Sequence, residues 1–175
     1  MATLNRFISH LGEKGIPFLK QLKKSGKFEW TEEGNIVFEK LKAYLTSSPI
    51  LTPLGKWEDM MLYITTTTTV VSTAIIVERE EEGYAYKVQW PIYYISEVLS
   101  DSKVRYPHVQ KLLYALVITS CKLCHYFDEH KITVVTDFPL DDILCNHDAM
   151  GCISNWAVKL GALNIEFTPH KAIKS

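Results

Sequence analysis

Two periodicities divide the chain. Between residues 107 and 127, Val109, Leu112, Leu113, Leu116, Val117, Ser120, Leu123 and Phe127 recur at the three-and-four spacing of a long amphipathic helix. Between residues 60 and 96 the texture is that of strands. Residues 60–65 and 69–77 are rich in β-formers, and Glu80-Glu81-Glu82-Gly83 makes a charged turn. Residues 84–95 follow as a third strand, where Pro91 marks an edge position or a bulge. Short turns favour antiparallel pairing among these three. After the long helix come a strand over 132–136, short helices near 139–144 and 153–163, and a last strand over 164–168. The pattern predicts an α/β architecture: a mixed sheet of three antiparallel strands, then further strands alternating with helices, covered by helices.

The beginning of the chain differs. Residues 2–24 read as helical, with Leu4, Phe7, Ile8 and Leu11 at helix spacing, interrupted by Gly12 and Gly15 and reopened at Pro17. Thr31 ahead of Glu32 and Glu33 signals another helix start, since a hydroxyl caps free amides and acids offset the helix dipole. Ile36, Val37, Leu41, Tyr44 and Leu45 are expected to form its buried stripe, and Ser47-Ser48-Pro49 to end it. The chain therefore divides into a helical segment, residues 1–48, and an α/β domain, residues 49–175.

Charge changes the functional picture more than size does. The 175 residues include 19 Lys+Arg against 20 Asp+Glu, so no global basic field favours autonomous nucleic-acid binding. Locally, Lys20, Lys23, Lys24 and Lys27 could touch phosphate, although a solvated helix face explains them equally simply and is preferred. No stretch has the length of a secretion signal's apolar core or of a membrane helix, which leads to the expectation of an intracellular protein, cytoplasmic or nuclear, with no membrane partner and four reduced thiols.

The sharpest chemical feature is Ile132-Thr133-Val134-Val135-Thr136-Asp137-Phe138-Pro139-Leu140. It sets an acid at the C-terminal end of a strand, where open α/β sheets place ligands. Asp137 can be a metal-binding carboxylate or the cap of the helix that Pro139 opens. Asp141 and Asp142 read as first-turn acids. Cys121-Lys122-Leu123-Cys124-His125 matches the short haem-attachment pattern, but it lies within the amphipathic helix without a second cysteine pair, so neither haem nor metal is expected. Cys145, His147 and Cys152 are read as loop residues with chance spacing. The run Thr65–Thr69 is read as a strand end and turn, since it lacks the glycine-rich or cationic frame of a phosphate site.

A set of short motifs recurs in one order: Tyr93-Tyr94-Ile95-Ser96, Arg105-Tyr106-Pro107, Ala115-Leu116-Val117, Lys122-Leu123 with Tyr126-Phe127, and Thr136-Asp137 with Pro139-Leu140. Trp156-Ala157-Val158, Ile165-Glu166-Phe167-Thr168-Pro169 and Lys171-Ala172-Ile173-Lys174 extend it. The order resembles the ribonuclease H-like region of a gypsy-type long-terminal-repeat retrotransposon polyprotein, particularly that of plant elements. Leu4-Asn5-Arg6-Phe7-Ile8-Ser9 with Pro17-Phe18 is similar to the end of the reverse transcriptase thumb and connection. Phe28-Glu29-Trp30-Thr31-Glu32-Glu33 with Phe38-Glu39-Lys40-Leu41-Lys42 resembles the junction before ribonuclease H.

The resemblance implies a ribonuclease H-like sheet and, in active members, four carboxylates holding two Mg²⁺ ions. Carried over residue by residue, the first acid falls on Thr65 and the helix glutamate on Leu112, beside the uncharged Gln110. The third matches Asp137, and the fourth would lie beyond Ile173-Lys174. The implied reading is a catalytically inactive, structural module of connection or tether type, or a genomic remnant, with no cofactor expected. Its expected partners are the polymerase region or a second ribonuclease H domain of the parent polyprotein. A weak metal-dependent hybrid ribonuclease and a non-catalytic RNA/DNA hybrid-binding module are the alternatives.

Overall fold

The computed structural model describes residues 5–17, 30–47, 51–145 and 151–169. Five strands form one mixed sheet in the order β3-β2-β1-β4-β5, with β1 Met60–Thr66, β2 Val70–Arg79, β3 Val88–Val98, β4 Ile132–Val135 and β5 Ile165–Thr168. As the short turns predict, β1, β2 and β3 are antiparallel. β4 joins parallel to β1 and β5 parallel to β4, because helical crossovers separate them. Pro91 lies on the edge strand β3, beside a register break between Ile75 and Ile76. A residue without an amide donor is accommodated at both kinds of place.

The helices are α1 Leu11–Lys14, α2 Glu32–Ser47, α3 Asp101–Val104, α4 His108–Lys122, α5 Cys124–Glu129, α6 Leu140–Leu144 and α7 Cys152–Gly161. α4 lies across β1 and β2 and under α7. Its buried arc is therefore wider than one stripe and takes in Lys111, Tyr114, Ala115 and Thr119 besides Leu112, Leu113, Leu116 and Val117. The main core joins Met60, Leu62, Ile75, Val77, Leu116, Phe127, Ile132 and Val134. Buried hydroxyls inside it are paired, Thr73 with Thr119 at 3.0 Å, which spares both the cost of an unmatched polar group.

Several sequence expectations are corrected. The single helix over 107–127 breaks at Leu123 (φ −123°, ψ 37°), which turns both Leu123 and Phe127 into the core. α3 has no counterpart in the sequence pattern. The third strand starts at Val88 rather than at residue 84, leaving Tyr84 and Tyr86 exposed in the connection from β2.

The fourth correction concerns the first segment. Of residues 5–17, those from 5 to 10 are not helical, because the edge of β3 captures them. Asn5 receives the Ser96 amide on Oδ1 at 3.0 Å and donates to the Ser96 carbonyl at 2.9 Å, while Tyr94 N–H donates to the Arg6 carbonyl. Gly12 donates to Ser96 Oγ at 2.9 Å, so close that a Cβ there would lie 2.6 Å from that oxygen.

α2 begins as expected, with Thr31 Oγ1 accepting from Gly34 N–H at 3.2 Å. Its buried stripe is narrower than predicted. Leu41 packs on Ile8 and Leu11 with Val37 alongside, but Ile36, Tyr44 and Leu45 are exposed. The thin layer beneath α2 covers one ridge of the helix and no more.

Candidate functional site

β1 and β4 pair in parallel from Met60↔Ile132 to Tyr63↔Val135, so both end at the same edge of the sheet. Thr65 and Asp137 stand two residues beyond the last pair, at the edge where such sheets gather ligands. The N-terminal half of α4 meets this edge, and Lys111 Nζ donates to the Thr68 carbonyl at 2.7 Å.

The three positions do not form a common polar pocket. Thr65 is exposed, and its hydroxyl reaches the Ser72 carbonyl at a long 3.5 Å. Leu112 is 3 % exposed and belongs to an apolar cluster with Leu113 and Leu140, against which Ile64, Ile143 and Trp156 pack. Asp137 is exposed. It is not the N-cap residue of α6, a place taken by Pro139, whose ring offers no hydrogen bond. The strand-to-helix turn is instead tied by Thr136 Oγ1, which accepts from Phe138 N–H at 3.2 Å.

One residue that the sequence did not single out bridges the strand ends. His108, the first residue of α4, meets Thr66 Oγ1 through Nδ1 at 3.1 Å and lies 4.8 Å from the Phe138 ring, centroid to centroid. Nothing local in the sequence marks this link. It joins residues 42 apart and follows from the placing of α4 across β1.

Two Mg²⁺ ions need several hard, mostly anionic oxygen ligands. This edge offers the Asp137 carboxylate, threonine hydroxyls and hydrocarbon, with the Lys111 ammonium close by, and that donor set does not fit a two-metal site. Among the described residues, no group of three His, Cys, Asp or Glu side chains could hold a metal ion. Cys121, Cys124 and His125 are all exposed around the break at Leu123. Cys145 Sγ lies 3.7 Å from Asp141 Oδ1, and the carboxylates of Asp141 and Asp142 raise its thiol pKa above the ordinary value. Cys152 Sγ accepts from Gln110 at 3.4 Å. Thr67 Oγ1 accepts from Val70 N–H at 3.0 Å, which makes the threonine run a tied turn. Lys20, Lys23, Lys24 and Lys27 lie outside the described residues, as does His147.

Stronger electrostatics lie elsewhere. At the opposite end of β1, Arg79 forks onto Glu58 at 2.7 and 2.8 Å, and Gly55 N–H adds a third bond at 2.6 Å. Those hydrogen bonds hold the Glu58 carboxyl down at about 2. Over α4, burial pushes the Glu97 carboxyl up, but bonds from Tyr114 at 2.5 Å and Lys122 at 3.2 Å outweigh it and leave the pKa below the ordinary value. Burial, together with the same Glu97, pushes the Tyr114 phenol up. With Lys103 of α3 also 3.7 Å from Glu97 Oε1, this network fastens α3 and α4 to β3.

The model of the RNase H-like domain found in reverse transcriptase matches residues 30–134. The chain belongs to that family. Solved structures repeat the fold of this RNase H-like domain. The foamy viral protease-reverse transcriptase in complex with dsDNA matches with a TM-score of 0.74 at 15 % identity, over 99 % of this chain and 37 % of that one. Its dRH form with dsDNA matches at a TM-score of 0.77 and 15 % identity, over 99 % and 31 %. The RNA/DNA hybrid complex gives 0.76 and 16 %, over 99 % and 24 %. At such identities the likeness is one of fold, and the chain spans well under half of each of those proteins. No curated protein matches. Among the described residues, no helix is long and apolar enough to cross a membrane.

Proposed function

We propose that this RNase H-like domain is non-catalytic and acts as a structural connection, or tether, in the polyprotein of a gypsy-type retrotransposon of plant origin. In this reading residues 1–48 are the remnant of the reverse transcriptase thumb and connection. The observation that carries the proposal is Leu112. A carboxylate needed by the family's metal chemistry is replaced by a leucine that the core has absorbed, 3 % exposed against Leu113 and Leu140. Thr65 supplies a hydroxyl where a second acid would stand, and a lone Asp137 cannot offset the dehydration of two divalent cations.

The partner that suits the proposal is the polymerase region of the same polyprotein. Trp30, two residues before α2, meets Phe38 edge to face with ring centroids 5.8 Å apart, and Leu45, seven positions on from Phe38, shares that side of the helix; the three are exposed and form an apolar patch of the kind that marks a protein contact. The test incubates the purified chain with an RNA/DNA hybrid and Mg²⁺ or Mn²⁺. No divalent-dependent cleavage is expected. Cleavage that disappears in Asp137→Asn would overturn the proposal and restore a weak ribonuclease.

A second reading, hybrid binding without cleavage, draws on the RNA/DNA hybrid held by one of the similar viral proteins. It requires affinity that falls steeply with salt, as counterion release dictates.

A further inference from the structure

A cleft of about 700 Å³ lies at the end of the sheet opposite Thr65 and Asp137. Residues 51–56 form one wall and α5 the other, with Ile92 of β3 in the floor and Arg6 at one end. Leu51, Leu54 and Tyr126 line its apolar part, and the volume falls within the range of binding clefts. Its rim is cationic. Arg6 is held between the rings of Phe7 and Tyr93, at 4.9 and 5.3 Å, with no carboxylate among the described residues to neutralise it. Lys56 and His125 are exposed, and Glu129 is the single acid of the cleft.

The connection between β2 and β3 has the complementary character. Glu80, Glu81 and Glu82 are followed by Gly83, whose φ of +93° closes the turn, and Tyr84 N–H donates to the Glu81 carbonyl at 3.2 Å. Tyr84 and Tyr86 are 57 % and 72 % exposed and touch edge to face with centroids 6.0 Å apart. Lys87 is the one cation there. Two exposed tyrosines beside three acids have the makeup of an interface anchor rather than of a solvated turn.

Tip and cleft lie at the same end of the molecule, since Arg79, next to the tip, donates to the Pro53 carbonyl in the cleft wall at 2.8 Å. We infer that the acidic, tyrosine-bearing β2–β3 tip of one copy docks into the cationic cleft of a second copy, and the reverse, in a two-fold dimer. One pair of surfaces used twice is what such symmetry requires. Acids around the cleft, Glu58, Asp59, Asp128 and Glu129, disfavour a long polyanion and favour a short segment whose charge is confined to its tip. The inference stands independently of the proposed function.

The test measures self-association of the full chain by sedimentation. The dimer is expected to weaken by about tenfold or more in Glu81→Lys/Glu82→Lys, and likewise in Arg6→Glu/Lys56→Glu. Mixing the two variants is expected to restore a heterodimer, since one reversed pair and one native pair then face each other. A chain that is monomeric throughout overturns the inference. So does self-association that both variants leave intact and Ile36→Glu abolishes, which would locate the contact on α2. Thermal unfolding midpoints, expected to be unchanged in the tip variant, separate lost docking from lost folding.

Discussion

The two ends of the parallel pair β1 and β4 have opposite fates. At the C-terminal end, where open α/β sheets gather ligands, the described side chains are a mix of hydroxyls, hydrocarbon and one exposed acid, Asp137. Thr65 is a weakly bonded hydroxyl, Leu112 is core, and His108 with Phe138 ties the strand ends together. At the N-terminal end charge is organised, with Glu58 gripped by Arg79 and Gly55 and with Arg6 and Lys56 at the rim of the cleft. The sheet itself is indifferent to this exchange, because Met60, Leu62, Ile132 and Val134 bury the middle of both strands completely. The hydrogen-bond ladder and the core therefore do not depend on which donors stand at the ligand edge.

The comparison breaks most visibly at Leu112. Leu112→Glu, which places an acid where the resemblance to ribonuclease H puts one, is expected to cost about 3 kcal/mol or more, because it sets an unpaired carboxylate in an apolar cluster. Thermal or urea unfolding measures this. A stable variant that gains Mn²⁺-dependent cleavage would show instead that this edge can hold a working metal with Thr65 in place of an acid.

The next largest effect is expected at the strap. Asn5→Ala removes both bonds to Ser96 and should cost about 1–2 kcal/mol. Amide exchange should quicken along β3. Protection of Ser96 and Tyr94 equal to that of the parent would show the strap to be incidental.

Arg79→Ala should cost about 1 kcal/mol, discounted because Glu58 is 27 % exposed. Its clearer signature is in pH. The Glu58 pKa is lowered from 4.5 to about 2, so the pair's contribution is fully present above about 4.5 and is lost as pH falls through about 2. The parent's stability should fall over that window more steeply than the variant's. Parallel acid limbs would mean the fork contributes nothing. His108→Ala, at an exposed position, is expected to change stability by about 0.5 kcal/mol or less, and unfolding midpoints check it. A larger loss would make the His108–Phe138 bridge a structural tie between the two strand ends.

Much of the fold was legible because its signals are local. Runs of β-forming residues and short turns marked β1 to β3, Pro91 announced an edge or bulge, and Thr31 with two glutamates marked the start of α2. The misreadings arose where a distant partner overrode a local preference. Residues 5–10 carry a helical spacing, yet an edge strand some ninety positions away captures them. Ile36, Val37, Leu41, Tyr44 and Leu45 were expected as one buried stripe, but such spacing does not say how wide the layer beneath is, and only Leu41 and Val37 are covered. For the candidate site, the residue types at 65, 112 and 137 were readable in order. The role of His108 was not, since no short-range pattern ties it to Thr66 and Phe138.

The sequence by itself determined the strands, the long helix and the residue types available to a metal, because side-chain chemistry and periodicity are properties of neighbours along the chain. The tertiary structure alone decided that Leu112 is sealed in the core, that Asn5 closes the β3 edge, and that Arg6, Lys56 and His125 share one cleft. Those facts depend on contacts between residues far apart in sequence, and such contacts exist only once the sheet has formed and the helices have packed upon it.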